Sequence, residues 1–323
     1  MHGFPVPLPR EMVLPRVGFP DRFPLYSLRE VFAVAAAGEC GSRREENTVN
    51  LRRKEGDARV KTYYEPEVVA RHVPLEPIPD EVRAAYLRPG ELLAVMERFP
   101  VAYQPLGTIE WHGRHNPLGC DSIKAEQVCI HAARAAGGVV MPPLYFAADA
   151  HWDCGHGIGY GMDAEAGFQL PGSFYPMATD LFAKLLQSAC SNYLARGFRL
   201  VVLVSGHNPS IQQNVMDEVC YSFKSPDGAE PVVATMENKL VPRGDPRRGG
   251  DHAGGYETSM MLYLCKDRVR LEANEDADVP KLGVGDGGGG IMLEEASAEE
   301  GKIRFELQVA GLVELAARKL AAL

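Results

Sequence analysis

The chain has 323 residues, of which 24% are charged and 46% hydrophobic, a globular composition long enough to bury a sizeable core. Its formal charge of −9 argues against a general binder of nucleic acid or of an anionic membrane surface. The longest uncharged apolar runs, such as Val31–Ala37, are too short to span a bilayer, no signal peptide opens the chain, and seven cysteines without a CxxC pair suit the reducing cytoplasm.

Residues 1–90 read as a Pro-rich N-terminal arm, with six prolines in the first 24 residues, a short apolar stretch over 28–37 that could be helical, and a charged loop over 42–57. The compact part is expected over 91–323. There Glu91–Phe99 reads as a helix and Val101–Leu106 as a strand ending at Gly107. Asp121–Ala136 reads as a helix stopped by Gly137-Gly138. Val139–Met141 (strand), Met177–Arg196 (helix) and the β-branched run Arg199–Val204 (strand) follow. Then come a helix over Pro209–Phe223, a strand over Pro231–Thr235, and helices over Tyr256–Cys265 and Phe305–Leu320. Strands alternating with helices of ten or more residues predict an α/β protein with a mainly parallel sheet covered on both faces. The run Gly287–Gly290 is a loop and not by itself a nucleotide motif.

Polar chemistry concentrates at three strand-to-helix junctions. The first is Gly107-Thr-Ile-Glu110-Trp-His112-Gly-Arg-His115-Asn-Pro-Leu-Gly-Cys-Asp121, just after a strand, where parallel sheets gather their ligands. In extended chain Glu110 and His112 point to the same side. Alone, that pair reads more readily as a solvated loop, and Asp121 equally well as a helix N-cap. The second junction is Ser205-Gly-His207-Asn, and the third Asp251-His252-Ala-Gly-Gly-Tyr-Glu257-Thr-Ser. Carboxylates and imidazoles at three such places suit a site for Zn²⁺, Mn²⁺ or Fe²⁺. A serine hydrolase lacks its G-x-S-x-G turn, since Ser205 stands in V-S-G-H. The segment Asp149–Tyr160 reads as a lid or pocket wall. In it His151 and His156 could touch substrate or merely bond within the loop, and Trp152, like Trp111, suits a wall or packing.

Taken together, these segments resemble the creatininase family. Gly107–Asp121 is similar to its first motif, a small-residue turn followed by Glu-x-His-Gly and Pro-Leu-Gly-x-Asp. Gly197–Asn208 is similar to the second, a strand ending in Asn-Gly-His, and His252–Ser259 to the third. Pro171-Gly-Ser173 resembles the family's Pro-Gly-Thr turn, and Glu295–Gly301 a recurring C-terminal segment; the likeness runs in order over roughly residues 97–317. It implies a three-layer α/β/α fold and two divalent metal ions. It also implies hydrolysis of a small cyclic amide or related C–N bond by a hydroxide bridging the metals. A homo-oligomer, a hexamer in the family's manner, and a small-molecule substrate are implied with it. By matching motif, Glu110, Asp121 and His207 would hold one metal, and His112 and Asp121 the other. His252 would transfer the proton, and Ser173 would border the substrate with His151, Trp152 and His156. The family's namesake has a glutamate two residues after the second-motif histidine, where this chain has Pro209; either Glu257 fills the gap as ligand, or the second metal is weakly held or water-rich. The same site could instead serve a cyclic sugar-derived ketone or lactone, or a metal-binding structural subunit without turnover.

Overall fold

The computed structural model describes residues 65–153, 158–274, 284–285 and 290–323. The expected arm is therefore described only from residue 65, and the helical stretch over 28–37, the charged loop over 42–57 and Gly287–Gly289 lie outside the described residues.

Helix α1 (Pro66–His72) buries none of its side chains. The chain joins the core at Val82, whose carbonyl accepts from the Val140 amide at 2.8 Å. Helix α2 (Pro89–Arg98) has proline at its start, where an amide donor is not needed, and Glu91 reaches back to the Arg88 amide at 2.9 Å. Strand β1 (Val101–Leu106), helix α3 (Cys120–Ala136) and strand β2 (Val139–Val140) follow. A small antiparallel hairpin, β3 (His151–Asp153) and β4 (Ile158–Tyr160), leads through the single turn α4 (Asp163–Ala166) to α5 (Thr179–Leu194). Strand β5 (Leu200–Ser205), α6 (Ser210–Ser222), β6 (Val232–Met236), α7 (Gly255–Cys265) and α8 (Ala298–Ala321) complete the series. Helix α8 begins seven residues before the expected Phe305, because Ser297 caps it by accepting from the Glu300 amide at 3.2 Å.

The main sheet runs β2-β1-β5-β6 and every pairing is parallel. Both central strands are buried along their whole length, which their unbroken apolar runs anticipate. Alternate residues serve opposite faces. Val101, Tyr103, Leu200, Val202 and Val204 pack with Val128, Met260, Phe305 and Leu312 of α3, α7 and α8. Ala102, Val201 and Leu203 pack with Met96, Phe182, Leu186 and Met216 of α2, α5 and α6. The result is the three-layer α/β/α architecture. Its consequence for the site lies in the register: Leu106 pairs with Ser205, so the chains leaving β1 and β5 emerge side by side.

Candidate metal centre

Two glycines let these strand ends press against the start of α3. A side chain at Gly206 would strike the Asp121 carbonyl, and one at Gly107 would strike the Ser122 backbone. Asp121 is not the N-cap: Gly119 holds that position, no side chain caps the helix, and the Asp121 carboxylate turns inward. There Asp121 Oδ2 lies 3.2 Å from His207 Nδ1, which is also 3.0 Å from Glu110 Oε1. On its other side Asp121 Oδ1 lies 3.2 Å from His112 Nε2, and His112 Nε2 is 3.5 Å from Glu257 Oε2. Glu110, His112, Asp121, His207 and Glu257 are all buried, so the structure brings together every residue expected to ligate metal.

His252 stacks on His112, with ring centroids 4.6 Å apart. Its Nε2 lies 2.7 Å from the Trp111 carbonyl, an acceptor only, so that nitrogen carries a hydrogen. Nδ1, 3.9 Å from Glu110 Oε1, is then the ring atom able to take and return a proton. Ala253 has a left-handed backbone with φ 52, and its amide donates to Glu257 Oε2 at 2.7 Å. Asp251 receives the amides of Tyr256 and Glu257 at the start of α7.

These groups face a cavity of about 510 Å³. Its wall includes Asp149, Gly161 and Met162, which flank the β3–β4 hairpin, together with Pro209 and Asn238. Of the expected wall over Asp149–Tyr160, Asp149 lines the cavity, and Gly161 and Met162 just beyond the segment join it. His151 is exposed on β3, Ser173 is half-buried in its turn, and neither lines the cavity. Trp152 lies within β3, and His156 lies outside the described residues.

Two residues escaped the sequence reading. Asp149 Oδ2 stands 3.7 Å from His207 Nε2. Lys124, one turn along α3 from Asp121, is wholly buried and pairs with Glu257. The only sequence signal for it was the i,i+3 spacing from Asp121.

The electrostatics follow from crowding charge away from water. Burial works to lower the His112 pKa, but Asp121 and then Glu257 and Glu110 hold its charge and raise it to about 9. Burial likewise opposes charge on His207, and Glu110 and Asp121 outweigh it, carrying the pKa well above that of an ordinary imidazole. Burial would raise the carboxyls of Asp121 and Glu257. His112 and Lys124 hold Asp121 well below the usual carboxylate range, and Lys124 and then His112 hold Glu257 below it. Asp251 is pushed up to about 7 by burial and by repulsion from Glu257. Burial also pushes up the Cys120 thiol, which keeps it a neutral neighbour of the centre.

The arrangement fits a cation. Glu110, Asp121 and His207 offer ligand atoms within 4.8 Å of one another. His207 Nε2 is buried without a hydrogen-bond partner. Five buried carboxylates (Glu110, Asp121, Asp149, Glu237 and Glu257) share this region with two buried Lys or Arg side chains among the described residues, Lys124 and Arg304, and the charge left over is met by protonated His112 and His207 or by a cation that displaces a proton. A mixed imidazole–carboxylate set of this kind suits Zn²⁺ or Mn²⁺.

Comparison with known proteins points the same way. A family model described as creatininase, creatinine amidohydrolase, matches residues 85–316, well over half of the chain. Creatinine amidohydrolase of Pseudomonas putida is 26% identical over 185 residues, a match spanning 52% of this chain and 65% of that relative's length. A crystal structure of creatinine amidohydrolase (creatininase) is similar with a TM-score of 0.59 at 21% identity, over 75% of this chain and 99% of that one. A zinc–zinc form of a mutant creatininase gives a TM-score of 0.58 at 21% identity, over 74% and 98% of the two chains. No helix among the described residues is long and apolar enough to cross a membrane.

Proposed function

Since the chain belongs to the creatininase family, we propose that it is a metal-dependent hydrolase that opens a small cyclic amide or a related C–N bond. The observation that carries this reading is the convergence of Glu110 Oε1 and Asp121 Oδ2 on His207 Nδ1, at 3.0 and 3.2 Å, in a cavity that also holds His252. A divalent cation bound there would bring the ionisation of water toward neutral pH and polarise a substrate carbonyl. The chain's own groups do the rest. Glu110, Asp121 and His207 hold the cation. The cavity volume of about 510 Å³ admits a ring of metabolite size. His252 Nδ1 holds the proton that the leaving nitrogen takes, while the Trp111 carbonyl fixes the ring through Nε2. Asp149 and Met162 also line the cavity.

A second cation at His112, Asp121 and Glu257 is the fuller, dinuclear form of this reading, and it requires Lys124 to withdraw from Glu257. Association into a homo-oligomer, a hexamer in the family's manner, accompanies the proposal and is read by light scattering on the purified chain.

The test is a panel of cyclic amides, with lactones and cyclic sugar-derived ketones beside them, offered to chelator-stripped protein before and after refilling with Zn²⁺ or Mn²⁺. Ring opening of an amide that appears only with metal supports the proposal. Turnover confined to the sugar-derived compounds would move the substrate class while keeping the site. Metal uptake with no turnover across the panel would favour the structural-subunit alternative that Pro209 raised.

A further inference from the structure

Lys124 lies at the heart of the centre and has no part in the family motifs. It follows Asp121 by three residues on α3, so both side chains leave the same face of the helix. Its side chain is 1% exposed. Nζ lies 3.2 Å from Asp121 Oδ1 and 3.4 Å from Glu237 Oε1, donates to the Gly206 carbonyl at 3.4 Å, and pairs closely with Glu257 Oε1. Four oxygens from four elements thus surround one ammonium group, as they would a bound cation.

The groups expected to hold a second metal are already engaged. Glu257 gives one oxygen to Lys124 and the other to the Ala253 amide, with His112 Nε2 beside it. Asp121 Oδ1 is shared between His112 and Lys124. Pro209 supplies no donor where the family's namesake has a glutamate. A divalent ion on His112, Asp121 and Glu257 would sit about 2.0–2.2 Å from their ligand atoms. There it would abut a like charge that is bonded to the same carboxylates and sealed from water.

We infer that the Lys124 ammonium takes the place of the family's second divalent cation, so that the centre holds one exchangeable ion, at Glu110, Asp121 and His207, beside one fixed charge. The inference rests on the metal-dependent reading above and narrows it from two cations to one. Lys124 acts here as a positioning residue: its single charge is set against Glu257 and occupies Asp121 Oδ1, and leaves Asp121 Oδ2 and the cavity to the exchangeable ion.

The test counts ions without reference to activity. The full chain is stripped with chelator, refilled with ZnCl₂ or MnCl₂ and dialysed. Metal per chain is measured by mass spectrometry, and the manganese form is examined by electron paramagnetic resonance. One ion per chain and an isolated six-line Mn²⁺ spectrum are expected. The double variant Lys124→Ala/Pro209→Glu should then take up two ions and show an exchange-coupled pair. Two ions in the wild-type chain, or a coupled pair there, would overturn the inference and leave the metal-dependent reading intact. No ion in the wild-type chain would overturn that reading, and the inference with it. If the double variant fails to fold by circular dichroism, the wild-type count decides alone; if it folds and still binds one ion, Lys124 is not what excludes the second.

Discussion

The two sides of the Asp121 carboxylate are built from the same kinds of residue and do different things. Toward the cavity, Oδ2 meets His207, which also meets Glu110, and no lysine or arginine stands among them. Toward α7, Oδ1 meets His112 and Glu257 as well, but Lys124 already stands among them. Ligand types at the right spacing therefore do not make a metal site unless the charge they gather is left uncompensated. On the proposed reading, one side leaves that charge to an exchangeable ion and the other supplies its own.

Removing Asp121 should break both sides at once. Asp121→Ala deprives His207 of a partner and leaves Lys124 and His112 short of counter-charge, a loss of about 3–5 kcal/mol typical of an opened buried pair. Urea unfolding should show that loss, and metal analysis of whatever folds should find no ion. His252→Ala should separate chemistry from binding. Metal content should stay at the wild-type value while kcat falls by about 10²–10⁴-fold; full activity would make His252 a bystander. Glu257→Gln sharpens the contrast further. It removes the charge that Lys124 faces and should cost about 1.5–3 kcal/mol in denaturant unfolding, yet leave the ion at Glu110, Asp121 and His207 in place. Loss of that ion in Glu257→Gln would show that the two sides are one site.

A pH dependence should appear in the metal-free protein as well. The His112 pKa is raised from 6.5 to about 9, so between those values the folded state binds more protons than the unfolded one. The stability it contributes is complete below about 6.5 and is lost as pH rises through about 9. The melting temperature of stripped protein should therefore fall over that interval. Uptake of Zn²⁺ at neutral pH should release protons from His207, whose pKa is also raised, and calorimetry in two buffers of different ionisation enthalpy would count them.

Most of the scaffold was legible because each layer leaves a local mark. The β-branched run ending at Ser205 and the apolar run ending at Leu106 became the two fully buried central strands. Glu110, His112, Asp121 and His207 were legible as a polar cluster at strand-to-helix junctions, and their roles as ligands came from the family resemblance. Lys124 was not, because a lysine three residues after an aspartate usually marks a solvated helix face. Its burial depends on α7 and α8 closing over α3, a non-local event with no mark in the sequence near residue 124. The hairpin was missed for a related reason: its strands are only three residues each, too short for an alternating pattern to declare itself.

The most direct test of the account is an anomalous-diffraction map of crystals grown from stripped protein refilled with zinc. The account predicts one zinc peak, about 2.0–2.2 Å from Glu110, Asp121 and His207, with Lys124 still against Glu257. A peak between His112 and Glu257, or none at His207, would contradict it.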